Sequence, residues 1–270
     1  MSEIVNFKRE IATIGPDKVF DIYGFPVVNS TLLIVLLFFF LSVMSFFVFR
    51  NRKAVPGKVE VFLEMIYESL HSQIKTITGS DYHTKRIFAL VASIFVFVGI
   101  SNYSGLIPGL SSITWDGVAI FRTPTADFNT TFGLALGALI ILHFVTIADL
   151  GFWGYIKKFI PVVQLREDLK KGILSPIYIF VTILMACLDI IGEFVKVISP
   201  SLRLFGNMYA GDVLTTVLIG IFAFVLPSFW IAFGLLGALI QTIVFGSLIT
   251  LFYMQAAGPE PGPVSNVKEN

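Results

Sequence analysis

The chain has 270 residues, of which 56% are hydrophobic and only 14% charged, with a net charge of +1 and a mean hydropathy of +0.85. Soluble domains carry about a quarter charged residues, so this composition describes an integral membrane protein. The near-neutral charge, with no basic cluster interleaved with aromatics, leaves no footprint for nucleic acid. The single cysteine, Cys187, lies inside an apolar run; an intrachain disulfide is excluded, and neither a metal nor a cofactor is expected.

In chain order, residues 1–28 form a polar lead-in with scattered aromatics that ends in Gly-Phe-Pro-Val-Val-Asn-Ser, where Asn29 or Ser30 suits a helix cap. The first apolar run, 30–49, lacks a small-residue cleavage pattern and reads as a retained span. Arg50, Arg52 and Lys53 close it and put that end in the cytoplasm, with the amino terminus outside. Pro56-Gly57 opens a segment, 58–78, with Val59, Phe62, Leu63, Ile66, Leu70 and Ile74 on one helical stripe. That stripe predicts an interfacial amphipathic helix; packing against a soluble partner is the other reading. Lys85 and Arg86 anchor the next span, 87–107, on the cytoplasmic side, and Gly and Pro residues turn the chain at 105–109. The outer loop, 108–129, holds Arg122 as its one basic residue. A third span, 130–151, contains Gly133 and Gly137 at the spacing that lets helices approach closely. Lys157, Lys158, Arg166, Lys170 and Lys171 then mark a cytoplasmic loop.

Residues 173–226 are apolar almost without break, with Asp189, Glu193, Lys196, Arg203 and Asp212 embedded. Two upright spans would need a polar hairpin near Pro200, and none is present. One long tilted helix, 174–222, kinked near Pro200, is therefore expected. A last helix, 228–256, carries Gln241 and precedes a polar cytoplasmic tail, 257–270. The predicted fold is all-α: about five membrane helices plus an interfacial helix, as a single membrane domain over 29–256. No internal repeat is visible, which disfavours an inverted-repeat transporter.

Arg203 is the centre of the chemistry. Ser199, Pro200, Gly206 and Asn207 occupy its helical neighbour positions, so no local carboxylate can pair with it. Arginine cannot shed its proton, and burying it at membrane depth costs about 3 kcal/mol on insertion scales. Its counter-ion is therefore expected on another subunit. Asp189, Lys196, Arg203 and Asn207 fall within about 40° on one helical face, and Asp212 lies about 180° from Arg203. Gln241, near Gly234, Gly237 and Ala238, suggests a small-residue face against the long helix. Glu193 and Lys196 read either as a simple i, i+3 pair or as channel residues. Asp127 suits the N-cap of the third span, and His143 reads as a lone, satisfied core histidine.

The run Arg203-Leu-Phe-Gly-Asn-Met-Tyr-Ala-Gly-Asp212 resembles the signature of subunit a of the rotary F-type ATP synthases. Gly24–Ser30, Pro124–Thr131 and Gln241 extend the likeness along most of the chain. The resemblance implies a membrane stator beside a ring of c subunits, with peripheral-stalk b subunits and one copy per complex. It implies that Arg203 faces the ring carboxylate and blocks direct proton flow between two half-channels. Asn207, Asp212 and Gln241 match half-channel positions, Asp189 an acid on the cytoplasmic side, and Asp127 an acid near the outer loop. Two departures stand out. Val197 follows Lys196 where many members have proline, with Pro200 appearing instead. Gly234 occupies a position where some members carry a histidine paired with the acid matched by Asp212.

A self-contained ion channel or secondary transporter is the alternative, and it would transport as the chain alone. No G-x-S-x-G or H-E-x-x-H motif supports an intramembrane enzyme. The lead-in has no transit-peptide character, so a bacterial plasma membrane is expected. The sequence leaves open whether the ion is a proton or sodium.

Overall fold

The structure, a computed structural model, describes residues 15–50, 57–107, 109–110, 113–115, 117–159, 175–221 and 225–257. The basic residues Arg52, Lys53, Arg166, Lys170 and Lys171, and the tail from 258, lie outside them. Six helices carry the described fold: α1 (Asn29–Arg50), α2 (Lys58–Thr78), α3 (Asp81–Gly105), α4 (Phe128–Phe159), α5 (Ser175–Ile221) and α6 (Val225–Ala256). Five of them, all but α2, are long and apolar enough to cross a membrane.

Two small hairpins precede and follow the first helices. Strands β1 (Lys18–Ile22) and β2 (Phe25–Val28) pair antiparallel. Tyr23 and Gly24 both take positive φ, 50° and 87°, which is the two-residue turn whose twist matches its strands. Strands β3 (Thr114–Trp115) and β4 (Val118–Ala119) form a second hairpin. Neither was expected, because each strand is too short to show an alternating pattern.

The α2 bounds match the amphipathic segment read from sequence. Leu70 and Ile74 are buried, and Gln73 Nε2 donates to Ser247 Oγ on α6 at 2.7 Å. Val59, Phe62 and Met65 remain exposed. Gly79 ends α2 at φ 66°, and Ser80 caps α3 by accepting from Tyr82 N at 3.1 Å. The third helix therefore begins at Asp81, earlier than the apolar run that suggested 87, because a cap fixes a helix start while hydropathy fixes only its membrane part.

The core lies among α3, α4, α5 and α6. Val91, Val98, Leu142, Leu204, Phe245 and Tyr253 are each at most 2% exposed. The close approach is made by Gly99 and Gly246 at the α3–α6 contact: a Cβ on Gly99 would meet Thr242 Cγ2 at 3.4 Å, and one on Gly246 would meet Val91 Cγ1 at 3.5 Å. Gly133 and Gly137, the pair expected to serve that purpose, face open space. The expected small face on α6 is corrected likewise. Gly234 abuts Leu106 at the end of α3, Gly237 faces open space, and only Ala238 is buried.

Helix α5 runs unbroken for 47 residues with Pro200 inside it. That is about 70 Å, more than twice the roughly 30 Å hydrocarbon thickness, so it cannot stand upright and straight within a bilayer. Pro200 cannot donate to the Lys196 carbonyl. One residue on, Ser201 Oγ donates to the Val197 carbonyl at 2.6 Å, a back-bond that bends helices.

The start of α4 ties the outer loop together. Asp127, 3% exposed, accepts from Asn129 N at 3.0 Å and from Thr130 Oγ1 at 3.3 Å, which caps the helix as expected. It also accepts from Ser30 Oγ of α1 at 2.7 Å. Ser30 thus clamps α1 to α4 rather than capping its own helix, and Asn29 Nδ2 donates to the Ala119 carbonyl at 3.3 Å. The remainder of α1 buries only Leu33 and Leu37.

Two outcomes follow. Asp127→Ala removes a cap worth about 1 kcal/mol and a hydrogen bond to a charged acceptor worth about 1.5 to 3 kcal/mol. It should destabilise the purified chain in detergent by about 2 to 4 kcal/mol, measured by denaturant unfolding, with Asp127→Asn losing less. Gly105→Ala would drive a Cβ into Thr123, contacting its Cβ at 3.1 Å and its Cγ2 at 2.8 Å. The buried loop must shift, at about 1 to 3 kcal/mol. Thr123→Ala in the same chain should recover much of it, a non-additivity that a double-mutant cycle reads.

Candidate ion-translocation site

The inner face of α5 is set by a buried stripe: Val197, Ser201, Leu204 and Met208 are each at most 6% exposed. Their spacing of four, three and four residues is one helical face. At 100° per residue, Arg203 points about 130° from the centre of that stripe, and Asp189 and Asn207 about 90° from it. All three are exposed. Among the described residues, none of these side chains makes a hydrogen bond or ion pair. On the same side of α5 the surface is apolar, with Met185, Leu188, Leu214 and Val217 exposed. The arginine therefore stands on an uncovered hydrophobic face, where lipid alone would leave its charge unanswered.

Asp212 and Glu193 lie about 50° to either side of the stripe centre, so both turn inward, on opposite flanks and toward opposite ends of the helix. Asp212 is half-buried, and the charge of Arg122, in the loop before α4, acts on it. Arg122 is itself held by donation to the carbonyls of Gly15 and Ala126. In sequence Arg122 counted only toward orientation. Its approach to Asp212 spans a separation no local pattern reveals.

A seam of buried polar groups fills the same end of the bundle. Ser101, Asn102, Thr125 and Thr131 are fully buried, and Gln241 is 8% exposed. Asn102 Nδ2 donates to Thr242 Oγ1 at 3.3 Å. Ser101 Oγ, Asn102 Oδ1, Thr125 Oγ1 and Gln241 Nε2 have no hydrogen-bond partner among the described residues. Each such group costs about 1 to 3 kcal/mol when it lacks even water, so a concentration of them marks a place where water has to be admitted. At Gly234 the space beside the backbone is taken by Leu106: a Cβ there would meet Leu106 Cδ2 at 2.9 Å.

The opposite end holds two ionic clusters. Glu193 accepts from Lys196 Nζ at 2.9 Å, and its Oε2 lies 3.9 Å from His143 Nε2. His143 Nδ1 is 2.9 Å from Tyr155 OH. His143 is thus not the lone core residue that its sequence position suggested, because its partners come from α5 and from beyond a break in α4. Separately, Arg86 pairs with Asp149 at 2.8 Å, Tyr253 OH donates to Asp149 at 3.4 Å, and His83 Nδ1 lies 3.0 Å from that hydroxyl. This second cluster ties α3, α4 and α6 together.

Between the two polar ends lies an apolar belt. On α3, Val98, Ile94 and Val91 separate Asn102 from Arg86; on α4, Ala135, Ala138 and Leu142 separate Thr131 from His143; on α6, Phe245 and Ile249 separate Gln241 from Tyr253. All of these belt residues are buried. Asn102 and Arg86 are about 24 Å apart along α3.

Comparison with known proteins bears on this arrangement. The family profile described as ATP synthase A chain matches residues 29–255. ATP synthase subunit a of Geotalea uraniireducens is 31% identical over 235 residues, covering 87% of this chain and 88% of the relative. Subunit a 3 of Pelobacter propionicus is 33% identical over 231 residues, covering 85% and 86%. The sodium-ion-specific subunit a of Propionigenium modestum is 30% identical over 241 residues, covering 87% and 76%. With five apolar helices and bacterial relatives matched along most of their length, this is a bacterial multi-pass membrane protein. The chain belongs to the ATP synthase A chain family, the ion-translocating subunits of the membrane sector, and works in a complex with other subunits.

Proposed function

We propose that this chain is the stator along which a ring of c subunits turns, with Arg203 as the group that couples ring movement to ion flow. The observation that carries the reading is an arginine exposed on an apolar helix face without a partner in its own described chain. A carboxylate presented by each passing c subunit supplies the missing counter-charge. Opposite charge within reach lowers a carboxylate's pKa by about 1 to 3 units. A carboxyl arriving protonated through lipid therefore releases its proton in front of Arg203 and is reprotonated after it passes.

The polar ends supply the two aqueous half-channels. Asp212, Asn207 and Gln241, with the seam reaching Asp127, serve the outer side. Asp189, Glu193 and Lys196 serve the inner side. Asp127 acts there mainly as the clamp of α1 to α4, and Arg122 is the cation beside Asp212 in place of the absent histidine. The apolar belt keeps the two sides from joining through the bundle, and Arg203 keeps them from joining along the ring. Arg50, Lys85 and Arg86 put the inner side in the cytoplasm, with the amino terminus outside and the carboxyl terminus cytoplasmic. The face of α1, with Phe38, Phe39 and Phe47 exposed, leaves room for lipid and for the b subunits of the peripheral stalk.

Arg203→Ala, assayed in membrane vesicles carrying the assembled complex, should abolish ATP-driven pumping while leaving assembly intact. Ionisation of the ring carboxyl at that point should fall by about 10- to 1,000-fold, the equivalent of the lost 1 to 3 pKa units. With the catalytic head stripped away, the variant should show an added passive leak. Arg203→Lys keeps the charge without the planar fork and should pump poorly. Pumping retained in Arg203→Ala would make the arginine structural and remove the stator reading.

A further inference from the structure

The cluster on the inner side contains more chemistry than an ion pair needs. A Glu–Lys pair at i, i+3 satisfies its own charges, and Glu193 Oε1 already accepts from Lys196 at 2.9 Å. Yet Glu193 Oε2 is buried without a hydrogen-bond partner among the described residues, and it faces His143 Nε2 at 3.9 Å. One bridging water, or a small rotamer change, closes that gap. The other ring nitrogen is 2.9 Å from Tyr155 OH. An imidazole addressed at both nitrogens can take a proton at one and release it from the other.

The backbone is specially shaped to complete this chain. Along a straight helix, Tyr155 would lie about 18 Å from His143. Helix α4 instead breaks at Gly151, with φ 74° and ψ 159°, a conformation that glycine adopts without strain. The break returns Tyr155 to the imidazole, with ring centroids 5.7 Å apart at 70°. At the other end of the cluster, Lys196 lines a cavity of about 10 Å³ with Pro200, Ala138 and Phe252, room for about one water. Lys196 lies two helical turns from Arg203, about 10 Å along α5. The other acid on this stretch of α5 is the exposed Asp189, about one turn before Glu193 and two before Lys196. From α6, the group facing Lys196 is the Phe252 ring, 5.8 Å from Nζ.

The groups also discriminate between ions. A hard cation asks for several oxygen ligands and net negative charge. Here the carboxylate is already neutralised by an ammonium, and its other neighbour is a nitrogen. That set suits a proton and rejects sodium. We propose that Glu193, His143 and Tyr155 form the proton relay of the inner half-channel, so that the ion carried by this subunit is a proton. The inference rests on the stator reading above. A proton arriving on Glu193 Oε2 moves to His143 Nε2, leaving the carboxylate paired with Lys196. The imidazolium, formed from the Nδ1–H tautomer, then releases its Nδ1 proton at the Tyr155 side to water. Each group is back at its starting charge, and exchange of the ring proton through water restores the Nδ1–H tautomer for the next transfer.

The test uses the assembled complex in liposomes and reads ATP-driven proton uptake, with and without added sodium. His143→Ala should slow uptake about 100-fold, the lower reach of a lost acid–base group, and added imidazole should restore a substantial part. His143→Gln, which fills the space without titrating, should stay slow. Wild-type uptake should not depend on sodium. The relay is overturned by wild-type rates in His143→Gln, or by a slow, well-assembled His143→Ala that imidazole leaves slow. A sodium requirement in the wild type overturns the assignment of the ion. Should His143→Ala not assemble, Tyr155→Phe keeps the ring packing and should pump several-fold more slowly; a wild-type rate there also overturns the relay. His143 variants at full rate beside an inactive Arg203→Ala would remove the relay and leave the stator reading standing.

Discussion

The structure depends on a cation that the described residues of its own chain leave unanswered. A guanidinium cannot be neutralised by losing its proton, and Arg203 projects from a face where Met185, Leu188 and Leu214 are exposed. Such a face is stable in lipid except at the arginine. The fold therefore does the reverse of what a monomer's core does: it buries the uncharged stripe of Val197, Ser201, Leu204 and Met208 and displays the charge. A helix of 47 residues has length to spare for this. Lying oblique to the bilayer, it can hold one flank in each half of the membrane, which on the stator reading keeps its central arginine in contact with a moving partner.

The bundle behind α5 is layered to match. Polar groups collect at both ends, and between them α3, α4 and α6 contribute buried Val98, Leu142 and Phe245. Opening a polar route through that middle layer would cost the packing of several large side chains at about 1.5 to 3 kcal/mol each. On the stator reading, this is why an ion entering at Asp212 leaves at Glu193 only by way of the ring. On that reading the apolar belt and the arginine act as two parts of one barrier, one inside the subunit and one at its surface.

The sequence revealed what local pattern can carry. Hydropathy located the five spans, the charge-poor neighbourhood of Arg203 singled it out, and the absence of a polar hairpin near Pro200 favoured a single long helix. The Asp127 cap was visible because a cap acts on the two or three residues that follow it. What was missed was long in range. His143 looked solitary because Glu193 lies on another helix and Tyr155 lies beyond the break at Gly151. Asp149 joins Arg86 and Tyr253 across separations of 63 and 104 residues. Gly133 and Gly137 had the right spacing for close approach, but spacing does not say which face a neighbour takes. The contact went instead to Gly99 and Gly246, which met partners across α3 and α6.

Gly234 shows how one small residue shapes its surroundings: it carries no titratable side chain, and Leu106 takes the space beside it. The charge that bears on Asp212 comes from outside α6. The group that acts on it is Arg122, which holds its charge at every physiological pH. On the outer side the acid is thus set beside a permanent cation, while on the inner side a histidine stands between a carboxylate and a phenol. On the proposed relay, proton exchange by side chains is concentrated at the inner end. At the outer end, the oxygens of Ser101, Asn102 and Thr125, unpartnered among the described residues, suit ordered water, so that on the stator reading the two halves of the path carry the same proton by different means.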